Sequence, residues 1–221
     1  MVRSGSDTVK QIATCDMQAM REDSIALLAK LGVNANVQLP LSDDSRVVRS
    51  PEDVFLRATA LCLCVARAHE VAFDFVQWAD ERGVTRNIET RELAFLKGTA
   101  HADEIAFYRG AEEALWLLCW ALKFHNRLRL DKVCDQSLAS MSPGPFMATP
   151  WQIPDTLSLR SDEEVMRIDD ALYLLANALV QPDISAAYGL LPFKPYVTAH
   201  RRIASGWLLQ SCDYYDVPLD T

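Results

Sequence analysis

The chain has 221 residues, of which 50% are apolar and 24% are charged, and this composition suits one globular domain large enough to bury a core. Its 22 basic and 30 acidic residues give a formal net charge of −8, which argues against nonspecific binding to nucleic acid or to an anionic membrane. No apolar run reaches the roughly 20 residues of a membrane span, and no apolar segment follows Arg3 as in a secretory signal, so we expect a cytoplasmic protein.

A first helix is predicted over Thr8–Leu31, because Gly32 follows it at the position where many helices end. We expect residues 1–20 to be flexible or partly helical and residues 21–221 to form a single helical domain. Residues 33–41 alternate loosely between apolar and polar side chains. This pattern indicates a short strand or an extended arm, and it is the only strand that the sequence suggests.

Three further helices are predicted before the centre of the chain. Ser50 followed by Pro51 and two acids is a strong helix start, since serine caps, proline fits the first turn and acids face the positive end of the dipole. This helix is predicted to run to His69. The next two are predicted over Val71–Arg82 and Thr90–Lys97, each of which a glycine follows.

The centre of the fold is predicted to be the helix Asp103–Phe124. Its stretch Ala114–Leu122 is apolar without interruption, which indicates burial on all sides. Trp116 and Trp120 are four positions apart and lie on one face. Core packing is favoured over a wall for ligand stacking, since each ring buries about 150–250 Å². The sequence therefore predicts an all-α bundle around a buried central helix.

The last third of the chain begins with an irregular stretch. Residues 131–159 are rich in proline and are predicted to lack regular structure. Ser161 and Glu164 have the spacing of a capping box and predict the start of a helix that ends at Val180. The final helix is predicted over Tyr196–Gln210, and an acidic, aromatic tail follows it.

Several stretches in a fixed order resemble a bacterial family known only as domain of unknown function 4272, over about residues 21–221. They are Arg49-Ser50-x-Glu52, Gln77-Trp78-Ala79, Glu113-Ala114-Leu115-Trp116, Cys134-Asp135, Arg160-Ser161-x-Glu163-Glu164, Arg201-Arg202-x-Ala204-x-x-Trp207-Leu208 and Tyr215-Asp216-Val217-x-x-Asp220-Thr221. The chain departs from the family at Gly110-Ala111, where an aromatic residue and an arginine are usual. The resemblance implies a helical fold and no particular activity.

Charged residues accumulate at the start of the central helix. On a helix Arg109 faces Glu112 and Glu113, which lie three and four positions later. We expect these three residues to form a charged cluster at one mouth of the bundle. Arg160, Arg201 and Asp216 are expected to join it. Two interpretations stay open. The cluster is either an acid–base or anion site, or a structural ion-pair network, which the lack of a nucleophile favours.

Neither a metal site nor a cofactor site is predicted. The histidines include no pair four positions apart, and H-E-x-x-H, phosphate-binding loops and G-x-S-x-G are all missing from the sequence. The six cysteines form no C-x-x-C pair, so we expect reduced thiols. Asp213, Asp216 and Asp220 have a spacing that suits a divalent cation, but such carboxylates more often serve in turns and caps.

These features favour a protein–protein interaction module over an enzyme. The specific hypothesis is an immunity-type protein that neutralises a bacterial toxin. Its acidic surface would attract a basic toxin, and aromatic residues of the loop Met141–Trp151 would anchor it. The alternative is a hydrolase-like enzyme that uses an Asp/Glu–Arg cluster at one end of the helical bundle.

Overall fold

A computed structural model of the chain describes residues 16–41, 46–180 and 193–219. Most of the predicted flexible segment 1–20 and the tail acid Asp220 therefore lie outside the described residues. Within the described ranges every regular element is a helix, which confirms the all-α prediction. The helices are α1 (Met17–Lys30), α2 (Pro51–Ala68), α3 (Phe75–Glu81), α4 (Thr90–Lys97), α5 (Ala102–Gly110), α6 (Glu112–Ala121), α7 (Leu138–Met141), α8 (Asp162–Val180) and α9 (Pro195–Leu209), with 3-10 turns at Thr85–Asn87 and Tyr214–Asp216. None of these helices combines the length and the apolar character that crossing a membrane requires.

Local capping signals start two of the long helices where the sequence predicts. At α2 the Ser50 hydroxyl accepts a hydrogen bond from the Asp53 amide, and the Asp53 carboxylate accepts one from the Ser50 amide, both at 3.1 Å. Ser161 and Glu164 form the same reciprocal box at the start of α8. Each box satisfies amide groups that have no partner inside the helix.

The buried centre of the fold is α6, which packs between α2 and α9. In turn α8 packs on α9, α1 packs on α8, and α4 and α5 pack on α2. Every residue of α6 except Glu112 is buried. Trp116 and Trp120 are 2% and 7% exposed, so both belong to the core, as predicted. The Trp116 ring also stacks on that of His125, with the centroids 3.8 Å apart.

The predicted central helix Asp103–Phe124 is two helices rather than one. α5 ends at Gly110 and α6 begins at Glu112, so the helix is interrupted at Ala111, where ψ is −8°. The His200 ring of α9 lies against this interruption, where a β-carbon on Gly110 would be only 2.5 Å from Nε2. The prediction of one helix was wrong. The local sequence around Gly110 continues a helical pattern, and it does not show that a side chain from a distant helix packs against this glycine.

Two further helix boundaries in the middle of the chain differ from the prediction by three or four residues, and α1 begins at Met17 rather than at Thr8, which lies outside the described residues. α6 stops at Ala121, before the predicted end, because Lys123 adopts a left-handed backbone conformation with φ of 62°. α3 begins at Phe75, after the predicted start, where the Asp74 carboxylate caps its first turn. The stretch 131–159 is irregular, as predicted, apart from the one-turn helix α7.

Residues 33–41 form an arm that contains turns and no β-strand. Arg21 of α1 holds the arm, since its Nη1 and Nη2 donate to the carbonyls of Leu39 and Pro40, each at 2.9 Å. The same guanidinium forms a buried ion pair with Asp170 of α8 at 2.8 Å. The Arg21 side chain thus supplies hydrogen bonds to backbone carbonyls that, in a β-strand, would bond to a neighbouring strand.

Candidate functional site

Two of the predicted site residues, Glu113 and Arg201, form a buried ion pair. Arg201 Nε and Nη2 donate to Glu113 Oε2 at 3.0 and 2.6 Å. Both side chains also bond to the backbone. Arg201 donates hydrogen bonds to the carbonyls of Arg129 and Lys132, and Glu113 Oε1 accepts one from the Cys134 amide. The pair therefore joins α6, α9 and the loop after α6, which matches the structural interpretation of the charged cluster.

Arg160 lies at the opposite end of α6 from Glu113. Its Nε donates to the carbonyl of Trp120 at 2.9 Å, and its Nη2 donates to that of His125 at 3.1 Å. Trp120 is seven positions after Glu113 on the helix, a rise of roughly 10 Å. The structure therefore does not bring Arg160 to the expected mouth of the bundle, because this arginine caps the carbonyls at the far end of the helix.

The tail meets α4 rather than the start of α6. Arg57 of α2 donates to both carboxylate oxygens of Glu92, and the Tyr215 hydroxyl donates to the same carboxylate. Arg57 is 4% exposed and Glu92 is fully buried, so this ion pair also lies inside the core, like those of Arg21 with Asp170 and of Glu113 with Arg201. Asp216 is exposed next to it and does not line the cavity described below. Sequence reasoning missed this pair, since 35 residues separate its members.

The remaining predicted residues, Glu112 and Arg109, open onto a cavity of about 510 Å³, here called the polar cavity. Glu112 Oε1 is hydrogen-bonded to His69 Nε2, and Oε2 accepts from Cys134 Sγ at 3.4 Å. Arg109 donates from Nε to the carbonyl of Ala68 at 2.9 Å. Lys194, Tyr196 and His200 complete the polar part of the wall.

Burial sets the protonation of two groups in the polar cavity. It lowers the pKa of His200 from its ordinary 6.5 to about 4, so the imidazole is neutral at neutral pH. Burial, and then the charges of Glu113 and Glu112, raise the pKa of the Cys134 thiol well above its ordinary range. Cys134 is therefore a thiol rather than a nucleophilic thiolate at neutral pH.

A second cavity of about 290 Å³, the apolar cavity, shares His69 and Glu112 with the polar one. Its other walls are mostly apolar and come from α2, α6 and the α7 region; they include Cys62, Val65, Leu115, Leu138 and Phe146. At its rim the rings of Phe73 and Phe146 touch, with centroids 5.4 Å apart. Phe73, Phe146 and Val71 are each about 40% exposed, and we call these three residues the aromatic surface.

Sequence reasoning placed neither His69 nor Cys134 at the site. They lie 43 and 22 residues from Glu112 along the chain, and no local pattern connects them. The only signal was that Cys134-Asp135 belongs to the stretches that resemble the family. The described residues contain no group of three or more His, Cys, Asp or Glu side chains that is arranged to hold a metal ion. The five cysteines within the described ranges are free thiols.

The family model for a domain of unknown function (DUF4272) matches residues 20–217. The chain belongs to this family. The match includes every helix of the bundle except the first turn of α1, so the buried ion pairs and both cavities lie within the family domain. No curated protein sequence and no solved structure matches the chain. Because the family description names no activity, the geometry of the site carries the functional argument.

Proposed function

We propose that this chain is a protein–protein interaction module whose partner binds at the aromatic surface. The observation that carries the proposal is the contact between the exposed rings of Phe73 and Phe146 at the mouth of the apolar cavity. Exposed aromatic rings that adjoin an apolar recess are typical of binding surfaces, where a partner's side chain fills the recess and the rings lose their contact with water.

The exposed rings leave apolar area in water that a partner would bury. Phe73 and Phe146 are 40% and 38% exposed, and Phe75 backs them from the core with its ring centroid 5.2 Å from that of Phe73. Support from a buried ring keeps the surface rigid, so that little side-chain freedom is lost on binding. The apolar cavity of about 290 Å³ has room for one large side chain of the partner.

The charge of the chain favours a basic partner. The formal net charge is −8, and Glu70 and Asp74 are exposed on either side of Val71 and Phe73. Complementary charge accelerates encounter and makes association sensitive to salt. In its specific form the proposal is an immunity protein that neutralises a basic toxin encoded by a neighbouring gene.

The test is calorimetric titration of the full chain with the product of the adjacent gene. We expect tight binding that weakens as salt is raised. Phe73→Asp and Phe146→Asp should each weaken binding about 10- to 100-fold, because a charge replaces an anchor ring. Leu27→Asp is the matched control, since Leu27 is 38% exposed on α1, which packs mainly on α8.

Two results would count against the interaction module. One is that the adjacent product does not bind. The other is that binding is as tight in Phe73→Asp and Phe146→Asp as in Leu27→Asp, with all three variants folded by circular dichroism.

The hydrolase alternative has weaker support. It needs a carboxylate and a guanidinium that face a substrate, whereas those of Glu113 and Arg201 are bonded to each other and to backbone groups. Glu112 and Glu113 both line the polar cavity, but only Glu112 has no arginine partner, and its oxygens already bond His69 and Cys134. We expect no turnover of simple esters or phosphoesters, and turnover that Glu112→Gln abolishes would instead favour the hydrolase.

A further inference from the structure

We infer that the polar cavity is a binding site for a small organic carboxylate, a role separate from the proposed partner surface. Its volume of about 510 Å³ lies within the roughly 300–1,000 Å³ of small-molecule sites. Four segments build its walls: the end of α2, the junction of α5 and α6, the loop at Val133 and the start of α9. The walls are therefore positioned by the packing of the whole bundle.

Positive charge exceeds negative charge in the wall of the cavity. Arg109 donates one hydrogen bond to a backbone carbonyl, and the carboxylate nearest to it, that of exposed Glu70, is 4.0 Å away. Lys194 has its ammonium group 6.0 Å from the ring centroid of Tyr196, and no carboxylate of a described residue forms an ion pair with it. Both cations can therefore interact with an anionic ligand.

Among the residues that line the cavity, only one carboxylate without a cationic partner opposes these two cations. The charge of Glu113 is compensated by Arg201 inside the core. Glu112 remains, and its oxygens already accept hydrogen bonds from His69 and Cys134. Within the lining of the cavity, two cations against one carboxylate leave an excess of one positive charge. The Glu70 carboxylate, which pairs with Arg109 at 4.0 Å, lies outside this lining and is 79% exposed, so water screens it. This excess is suited to a ligand that carries a single negative charge.

His200 supplies an imidazole that is mostly buried and that has no hydrogen-bond partner among the described residues. It is 8% exposed, packs against the Phe107 ring with centroids 4.9 Å apart, and makes no hydrogen bond within the described part of the chain. Its ring nitrogens are not among the fully buried polar atoms that lack a partner, so the cavity that His200 lines leaves them accessible to a ligand atom. Its neutral imidazole adds no charge of its own.

The remaining walls favour an organic anion over phosphate. Ala106, Val133 and the Tyr196 ring give the cavity apolar surface that a hydrocarbon body covers. A phosphate dianion offers no such surface and would face the Glu112 carboxylate with twice the charge. A monocarboxylate with a short apolar body meets both conditions.

The experiment is a titration of the full-length chain with butyrate, followed by NMR chemical shifts of the backbone amides. We expect saturable shifts at Gly110, Cys134 and Lys194, and none with butyramide or butylamine, which have the same size without the negative charge. Arg109→Gln and Lys194→Gln should each raise the dissociation constant about tenfold, which corresponds to one charge-assisted hydrogen bond. Arg167→Gln is the control, because Arg167 is 46% exposed, close to the 49% of Arg109, and lies on α8.

The inference is overturned if butyrate causes no saturable shift, or if the arginine and lysine variants bind it as well as Arg167→Gln. Inorganic phosphate that binds as tightly as butyrate would overturn the assignment of a carboxylate. The outcome is independent of the interaction proposal, since Phe73→Asp and Phe146→Asp should leave butyrate binding unchanged.

Discussion

Glu113 and Arg201 bind each other inside the core, with Arg201 Nη2 2.6 Å from Glu113 Oε2 and side-chain exposures of 3% and 1%. Charges at this depth are costly to remove from water, and they are tolerated when geometry and further hydrogen bonds compensate. Here the carbonyls of Arg129 and Lys132 and the amide of Cys134 supply those hydrogen bonds. The pair therefore fixes the loop that forms one wall of the polar cavity.

Removing one member of this pair should destabilise the fold strongly. Glu113→Ala should lower the free energy of unfolding by about 3–5 kcal/mol, because Arg201 would remain as a buried charge without its partner. Urea denaturation measures the change. Arg167→Ala is the control, since Arg167 and Glu163 pair at 2.9 Å with about half of each side chain exposed, and its effect should stay below about 1 kcal/mol. Similar losses in both variants would contradict the structural role of the buried pair.

Gly110→Ala should destabilise the protein although alanine is the better helix former. The added β-carbon would lie 2.5 Å from Nε2 and 2.8 Å from Cδ2 of His200, within the core. We expect a loss of about 1–3 kcal/mol from overpacking, partly offset by about 1 kcal/mol of helix propensity. Thermal denaturation of the single variants and of Gly110→Ala/His200→Ala gives the coupling energy. An absence of coupling would show that the contact does not restrict this position.

His200 should make the free energy of unfolding depend on pH below 6.5, the ordinary pKa of its side chain. In the folded state its pKa is about 4, whereas in the unfolded chain it is near 6.5. Between these values the unfolded chain binds a proton that the folded chain does not, so the free energy of unfolding falls as pH falls. The loss approaches about 3 kcal/mol near pH 4 and vanishes above pH 6.5.

The measurement is urea denaturation from about pH 7 to about pH 4.5, compared between the wild type and His200→Gln. The difference between the two chains isolates His200, because their other ionisable groups are the same. We expect the wild type to lose stability more steeply toward low pH. Parallel curves would show that His200 is protonated as readily in the folded protein as in the unfolded chain.

The elements predicted well are those fixed by neighbouring residues. The serine cap at Ser50, the capping box at Ser161 and the helix Thr90–Lys97 with Gly98 after it all appear as expected, since their hydrogen bonds join residues three or four positions apart. The prediction of a single central helix was wrong, since the interruption at Ala111 coincides with a contact from His200 of α9, almost 90 residues later in the chain.

The sequence by itself determined that this protein is a helical bundle with a buried apolar centre, because apolar periodicity and caps act within a few residues of each other. It also singled out Glu112 and Glu113 as the acids next to that centre. Only the tertiary structure decided that Glu113 is neutralised by Arg201, 88 residues away, while Glu112 meets His69 and Cys134 at a cavity. The reason is physical: one step along α6 turns a side chain by about 100°, so neighbouring glutamates face different partners.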